Sequence, residues 1–163
     1  MSRLFASSIK SAVLALFCFL AFASFAGAGD FRSERFEIRR QDGKLLQFTV
    51  ELAVREDERR VGLMNRDEMK PDSGMLFDFG DSRNVYMWMK NTYLPLDMLF
   101  ISDKGRIDHI RADTLPLSED VIDSHGQVRF VLEINGGTSA LLGIKVGDTA
   151  MSAQIAKAAF EAK

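Results

Sequence analysis

Lys90 and Asp97 are charged residues set in a strongly apolar stretch, Tyr86 to Ile101, which also holds the single tryptophan, Trp88. Burying that stretch carries an amine and a carboxylate toward low-dielectric surroundings, where an unpaired charge is costly. Asn91 to Pro95 must bend, because a proline cannot donate to a central ladder, so the two charges could pair across adjacent strands. Two chemistries fit. In the first, Arg59, Lys90 and Asn91 offer donors to an anionic or carbonyl-bearing ligand, Trp88 supplies a flat wall and Asp97 orients the lysine. The binding patch is then Arg59, Met64, Arg66, Trp88, Lys90, Asn91 and Asp97. In the second, Asp97 accepts from backbone N–H groups of the 91–95 bend and Lys90 merely closes an ion pair.

Other reactive residue types are sparse. Met87-Trp88-Met89 could offer thioether sulfur and an aromatic face to Cu(I), yet methionines at strand spacing also serve as adaptable core filler. His109 and His125 lack His-x-His or His-Glu-x-x-His spacing, which argues against zinc. His109 beside Asp108 could act as a base in a pocket; otherwise it is an exposed strand histidine. No nucleophile elbow, phosphate loop or dinucleotide fingerprint occurs. Three functions follow: a non-enzymatic binding or accessory domain, a hydrolase or transferase using Asp97 with Lys90 or His109, and a Cu(I) site. The first of these needs no metal and no cofactor.

The elements that must hold these residues are mostly strands. Phe36 and Ile38, then Leu46, Phe48, Val50, Leu52 and Val54, alternate on either side of Asp42-Gly43, a strong hairpin signal. Arg55 to Met64 switches to helical spacing, with Glu56, Asp57 and Glu58 at its start, although Arg55 is a poor cap. Met75 to Phe79, Val85 to Lys90, Leu96 to Ile101, Ile107 to Ile110 and Val128 to Ile134 read as further strands. Residues 113–127 read as a surface loop. Asn135 can cap a second short helix that Gly143 ends in the left-handed conformation. The expectation is a mainly β chain with two short helices and no βαβ alternation, an antiparallel sandwich or a distorted, jelly-roll-like barrel.

The ends set the compartment. Residues 1–28 read as a signal peptide: Arg3 and Lys10, an apolar run from Ser11 to Phe25, then Ala26-Gly27-Ala28. Residues 29–35 form a linker, 36–150 a single β domain and 151–163 a tail that is weakly helical or frayed. Cleavage removes two of the 21 basic residues and leaves 23 acidic ones, a formal charge of −4. No basic surplus then points to nucleic acid as a partner. It also removes Cys18, the one cysteine, so no thiol chemistry or disulfide remains. The expected product is periplasmic or secreted, with no stable membrane insertion after cleavage. Its partner would be a small polar or anionic ligand, or another envelope protein.

Several motifs recur in order: Arg59-Arg60-Val61-Gly62-Leu63-Met64-Asn65-Arg66, Gly74-Met75-Leu76-Phe77, Trp88-Met89-Lys90-Asn91-Thr92 and Pro95-Leu96-Asp97. Asn135-Gly136-Gly137 and Gly143 to Asp148 follow. Together they resemble domain-of-unknown-function family 192 over roughly residues 36–150. The resemblance implies a compact, mainly β, often exported domain and no particular activity. Where that family usually opens its first helix with a small hydroxyl residue, this chain has Arg55.

Overall fold

Alternating apolar residues build most of the molecule, and the computed structural model describes residues 31–161. The expected signal peptide, 1–28, lies outside the described residues. Strands β1 (Ser33–Arg39) and β2 (Leu45–Ala53) form the hairpin turned by Asp42-Gly43. Helix α1 (Glu56–Val61) leads to β3 (Ser73–Met87), followed by β4 (Leu96–Ile101), β5 (Ile107–Arg111) and β6 (Ile122–Asn135). Helix α2 (Thr138–Leu142), β7 (Thr149–Ser152) and α3 (Ala153–Glu161) complete the order. The strands form one curled sheet, β5-β4-β6-β3-β2-β1-β7, in keeping with the expected distorted barrel.

Four details depart from the sequence reading. β2 and β3 pair in parallel, with α1 in the crossover, so one βαβ unit is present where none was expected. The two strands expected around 75–79 and 85–90 are one strand, β3, bent by an irregularity between Asp78 and Arg83. The expected loop over 113–127 is shorter, because β6 starts at Ile122. The tail is a third helix rather than frayed: Gln154, Ile155 and Ala158 of α3 are buried, since its small apolar residues recur at i, i+3 against the curled sheet.

The helix ends show why local rules gave only part of the answer. Arg55 has no acceptor side chain, so Glu58 does the capping, its Oε2 accepting from the N–H groups of Val54 (2.9 Å) and Arg55 (2.8 Å). Asn135 does not cap α2; its Nδ2 donates to the carbonyls of Met69 and Lys70. Gly143 does end α2 in the left-handed conformation, with φ 67° and ψ 33°.

The sheet separates two cores. The inner face gathers Phe36, Ile38, Phe48, Val50, Leu52, Leu76, Leu99, Phe130, Leu132 and Ile134, with Ile155 and Ala158 of α3. The outer face carries Ala53, Met75, Phe77, Val85, Met98, Phe100, Val128 and Val131, covered by Leu63 and Met89. The sheet's edges meet where Arg106 bridges Thr149, and the Ala150 N–H donates to the Gly105 carbonyl at 2.7 Å. Only glycine fits there: φ is +83°, and a Cβ on Gly105 would lie 2.4 Å from the Ala150 carbonyl oxygen. Gly105→Ala is expected to lower stability by about 1–3 kcal/mol. Urea denaturation measures the loss, and faster amide exchange at Ile107 and Ala150 would place it; an unmoved midpoint would show that the edge contact carries no weight.

Candidate functional site

β6 is hydrogen-bonded on both sides, to β3 and to β4, and its side chains alternate between the two cores. Phe130, Leu132 and Ile134 go inward, Val131 outward, and Glu133 follows Val131 to the outer face. There it sits between its register partners Met75 and Met98, both fully buried. Glu133 is 4% exposed, its carboxyl at the floor of a cleft, and burial is the one influence on its proton, with no side-chain or backbone partner among the described residues. Burial pushes it up to about 8, so it holds its proton at neutral pH.

Glu133 lies at a cleft of about 120 Å³ between α1 and the end of β3. Phe77, Phe79, Met87 and Trp88 line one part, Gly62, Leu63 and Met64 another, and Arg59 and Arg60 bring positive charge. Gly62 permits the close cover: its φ is +48°, and an added Cβ would stand 3.0 Å from the Phe77 ring. The segments after α1 and after β3 are clasped where the Asn65 N–H donates to the Asn91 carbonyl at 2.8 Å. Asn65 and Asn91 both take positive φ, 60° and 55°, a conformation asparagine tolerates.

This arrangement regroups the seven residues singled out in the sequence. Arg59, Met64 and Trp88 line the cleft with Glu133. Arg66 pairs instead with Glu51 at 2.6 Å and lies over Phe31. Asn91 is exposed and contributes its carbonyl to the clasp. The expected Lys90–Asp97 pair does not form. Lys90 Nζ is 3.6 Å from Glu119 and lies 5.1 Å from the Trp88 ring centroid. Asp97 is 0% exposed, and its carboxylate accepts three backbone N–H groups: Asp113 at 2.8 Å, Gly137 at 2.9 Å and Ser139 at 2.7 Å. Those donors belong to distant turns and the start of α2, not to the 91–95 bend.

The other expected groupings separate too. Met87 lines the Glu133 cleft, whereas Met89 lines a different groove and its sulfur accepts from Thr114 Oγ1 at 3.2 Å. The two thioethers therefore do not converge beside Trp88. His109 is not isolated: its ring stands edge-to-face with His125 at 4.8 Å between centroids, and tilted over Phe100 at 5.5 Å. Both histidines line that second groove with Arg111, Asp120 and Asp123. Burial, then the neighbouring His125 and Arg111, lower the His109 value, with Asp123 acting against them. No group of three or more metal-ligating side chains of the His, Cys, Asp or Glu types occurs among the described residues.

Glu133 is the residue sequence reasoning missed. Its signal was present in Val131-Leu132-Glu133-Ile134, one carboxylate in an apolar strand. Alternation alone reads such a residue as facing water, and only a sheet covered on both sides makes it buried.

Two titrations test these environments. The folded-state value of Glu133 lies above the unfolded one, so its favourable contribution is complete below pH ~4.5 and is lost as pH rises through about 8. Glu133→Gln should therefore match the wild type near pH 4.5 and melt several degrees higher at pH 9, the difference being roughly 3–5 kcal/mol. Equal melting temperatures at pH 9 would place the carboxyl in water. For His109, NMR should give a midpoint below 6.5 that rises in His125→Ala without fully returning, because burial is the larger cause.

Comparison with known proteins follows the same outline. Residues 37–151 match domain-of-unknown-function family 192, described as Uncharacterized ACR. No curated protein matches the chain significantly. A solved structure from Sinorhizobium meliloti 1021, provisionally named a transcription regulator, is 50% identical, with a TM-score of 0.76 and 78% of this chain and 98% of that one covered. A protein of unknown function from Novosphingobium aromaticivorans DSM 12444 is 36% identical, with a TM-score of 0.69 and coverage of 72% and 83%. The matched span runs from β1 into β7 and takes in the α1 cover, Trp88, Asp97 and Glu133; the chain belongs to domain-of-unknown-function family 192.

Proposed function

We propose that this protein is exported and acts as a non-enzymatic binding or accessory domain that holds a small ligand in the cleft over Glu133. The Glu133 carboxyl carries this reading. Sunk among apolar side chains it is costly to ionise, and a ligand able to hydrogen-bond to it from the cleft would relieve that penalty. Trp88, 47% exposed, offers a flat apolar surface beside it, as ligand clefts commonly do. Export is supported by Arg3 and Lys10 ahead of an apolar run and by Ala26-Gly27-Ala28, with no cysteine after Cys18. No helix among the described residues is long and apolar enough to cross a membrane.

Catalysis through Asp97 has less in its favour. Its oxygens are already engaged by three N–H groups, and neither Lys90 nor His109 pairs with it. A Cu(I) site would need Met87 and Met89 to leave separate clefts. The Sinorhizobium relative's provisional name finds no support in the overall charge, which is −4 after the proposed cleavage and shows no basic surplus.

Native mass spectrometry of protein recovered from the cell envelope provides the test. The expected result is a chain beginning after Ala28 with a small non-covalent companion, whose release changes Trp88 fluorescence. Trp88→Ala should stay folded, because half the side chain is already in water, and should lose the companion. An uncleaved cytoplasmic chain would remove the export half of the proposal. A companion held equally well by Trp88→Ala would remove the cleft.

A further inference from the structure

The charges around the cleft narrow what it can hold. Among the described residues, Glu133 is the only carboxyl-bearing one that lines it. On α1, Arg59 uses Nη1 on the carbonyls of Val54 and Asp78 (2.9 Å to the latter) and makes no ion pair among the described residues. Its remaining N–H groups donate to no acceptor among those residues. Arg60, the next residue, reaches only the exposed Glu56, at 3.4 Å. The aromatic surfaces already carry cations: Arg59 and Arg83 lie 5.7 and 5.4 Å from the Phe79 centroid, and Lys90 lies 5.1 Å from that of Trp88.

Resting on the ligand-binding reading above, we infer that the cleft takes a small, flat organic carboxylate, its carboxylate accepting from Glu133 and from the α1 arginines. A protonated Glu133 is a hydrogen-bond donor, and an uncompensated guanidinium is a second donor that favours negative charge. Trp88, Met87, Phe79 and Met64 are apolar groups against which a ring can stack. A cleft of about 120 Å³ suits one ring and one carboxyl group. An amine would have to enter beside Arg59 and Arg60, and two of the cleft's aromatic rings, Phe79 and Trp88, are already approached by Arg59, Arg83 and Lys90.

The charged and titratable groups around Glu133 are few. α1 presents Arg59 and Arg60, the end of β3 presents Tyr86, and Lys90 follows Trp88; the flanking partners on β3 and β4 are Met75 and Met98. Among these groups Glu133 is the one that burial brings to titrate near pH 8. Carboxylate binding then requires its proton and weakens tenfold per pH unit once that proton is lost. Amine binding would have the opposite sign, since an ammonium prefers the ionised carboxylate.

Benzoate, benzamide and benzylamine are the probes, titrated against the whole protein between pH 6 and 9.5. Trp88 fluorescence and the Met64 and Met87 methyl resonances give the readout. Benzoate should bind most tightly, with an affinity that is flat to about pH 8 and falls tenfold per unit beyond. Glu133→Gln, which keeps a neutral donor, should bind benzoate without that pH dependence. Arg60→Gln, at an exposed position, should weaken benzoate several-fold while leaving benzamide nearly unchanged. Tighter binding of benzylamine, or benzoate affinity that does not fall above pH 8, overturns the carboxylate inference and leaves the cleft reading standing. No response to any of the three probes overturns both.

Discussion

The position of β6 in the middle of a sheet covered on both faces constrains everything else. Its residues alternate between two cores from Phe130 to Ile134, and Val128, past a break in register, joins the outer one, so each residue from Val128 to Ile134 is buried. For six of the seven positions that burial is met by apolar side chains or, at Arg129, by an ion pair with Asp78 at 3.0 Å. Glu133 is the exception. At 25 cal/mol per Å² the surrounding burial outweighs one unpaired acid, and the protein tolerates the penalty as a shifted proton equilibrium.

Three of the four buried carboxyl groups among the described residues receive three different treatments, the fourth, Asp148, being held like Asp97 by backbone N–H groups. Asp97 accepts three backbone N–H groups and thereby fastens β4, the turn at Asp113 and the start of α2 to one another. Asp78 is pushed up by burial, but Arg129, Gln154 and the Gly80 N–H more than offset this and hold its carboxyl below the usual range. It anchors α3 to the sheet through Gln154 at 2.7 Å. Glu133 has no such partner, and of the three it alone borders the Trp88 cleft. Satisfied carboxylates act as fasteners; the unsatisfied one is where a ligand has something to gain.

The lining of the cleft is partly legible in the sequence. Indole, guanidinium and thioether side chains stand out in an alternating chain, and Trp88, Arg59 and Met64 line one cleft. Lys90 and Asp97 drew notice for a sound reason, charge in apolar sequence, but the partner of each lay elsewhere. Glu119 belongs to the loop before β6, and the amides that engage Asp97 are 16 to 42 residues away. The His109–His125 contact has the same origin, since β5 and the start of β6 meet only through folding.

Periodicity, turn chemistry and motif order were enough by themselves to establish a mainly β chain, the hairpin at Asp42-Gly43, the left-handed stop at Gly143 and the family. Each of those is decided by neighbours within a few residues, or by the pattern as a whole. Tertiary structure alone decided that β2 and β3 run parallel, that the tail becomes a buried helix, and that Glu133 rather than Asp97 is the carboxyl without a partner. Those outcomes depend on strand order and on which segments cover the outer face, and a side chain's electrostatics follow from what covers it.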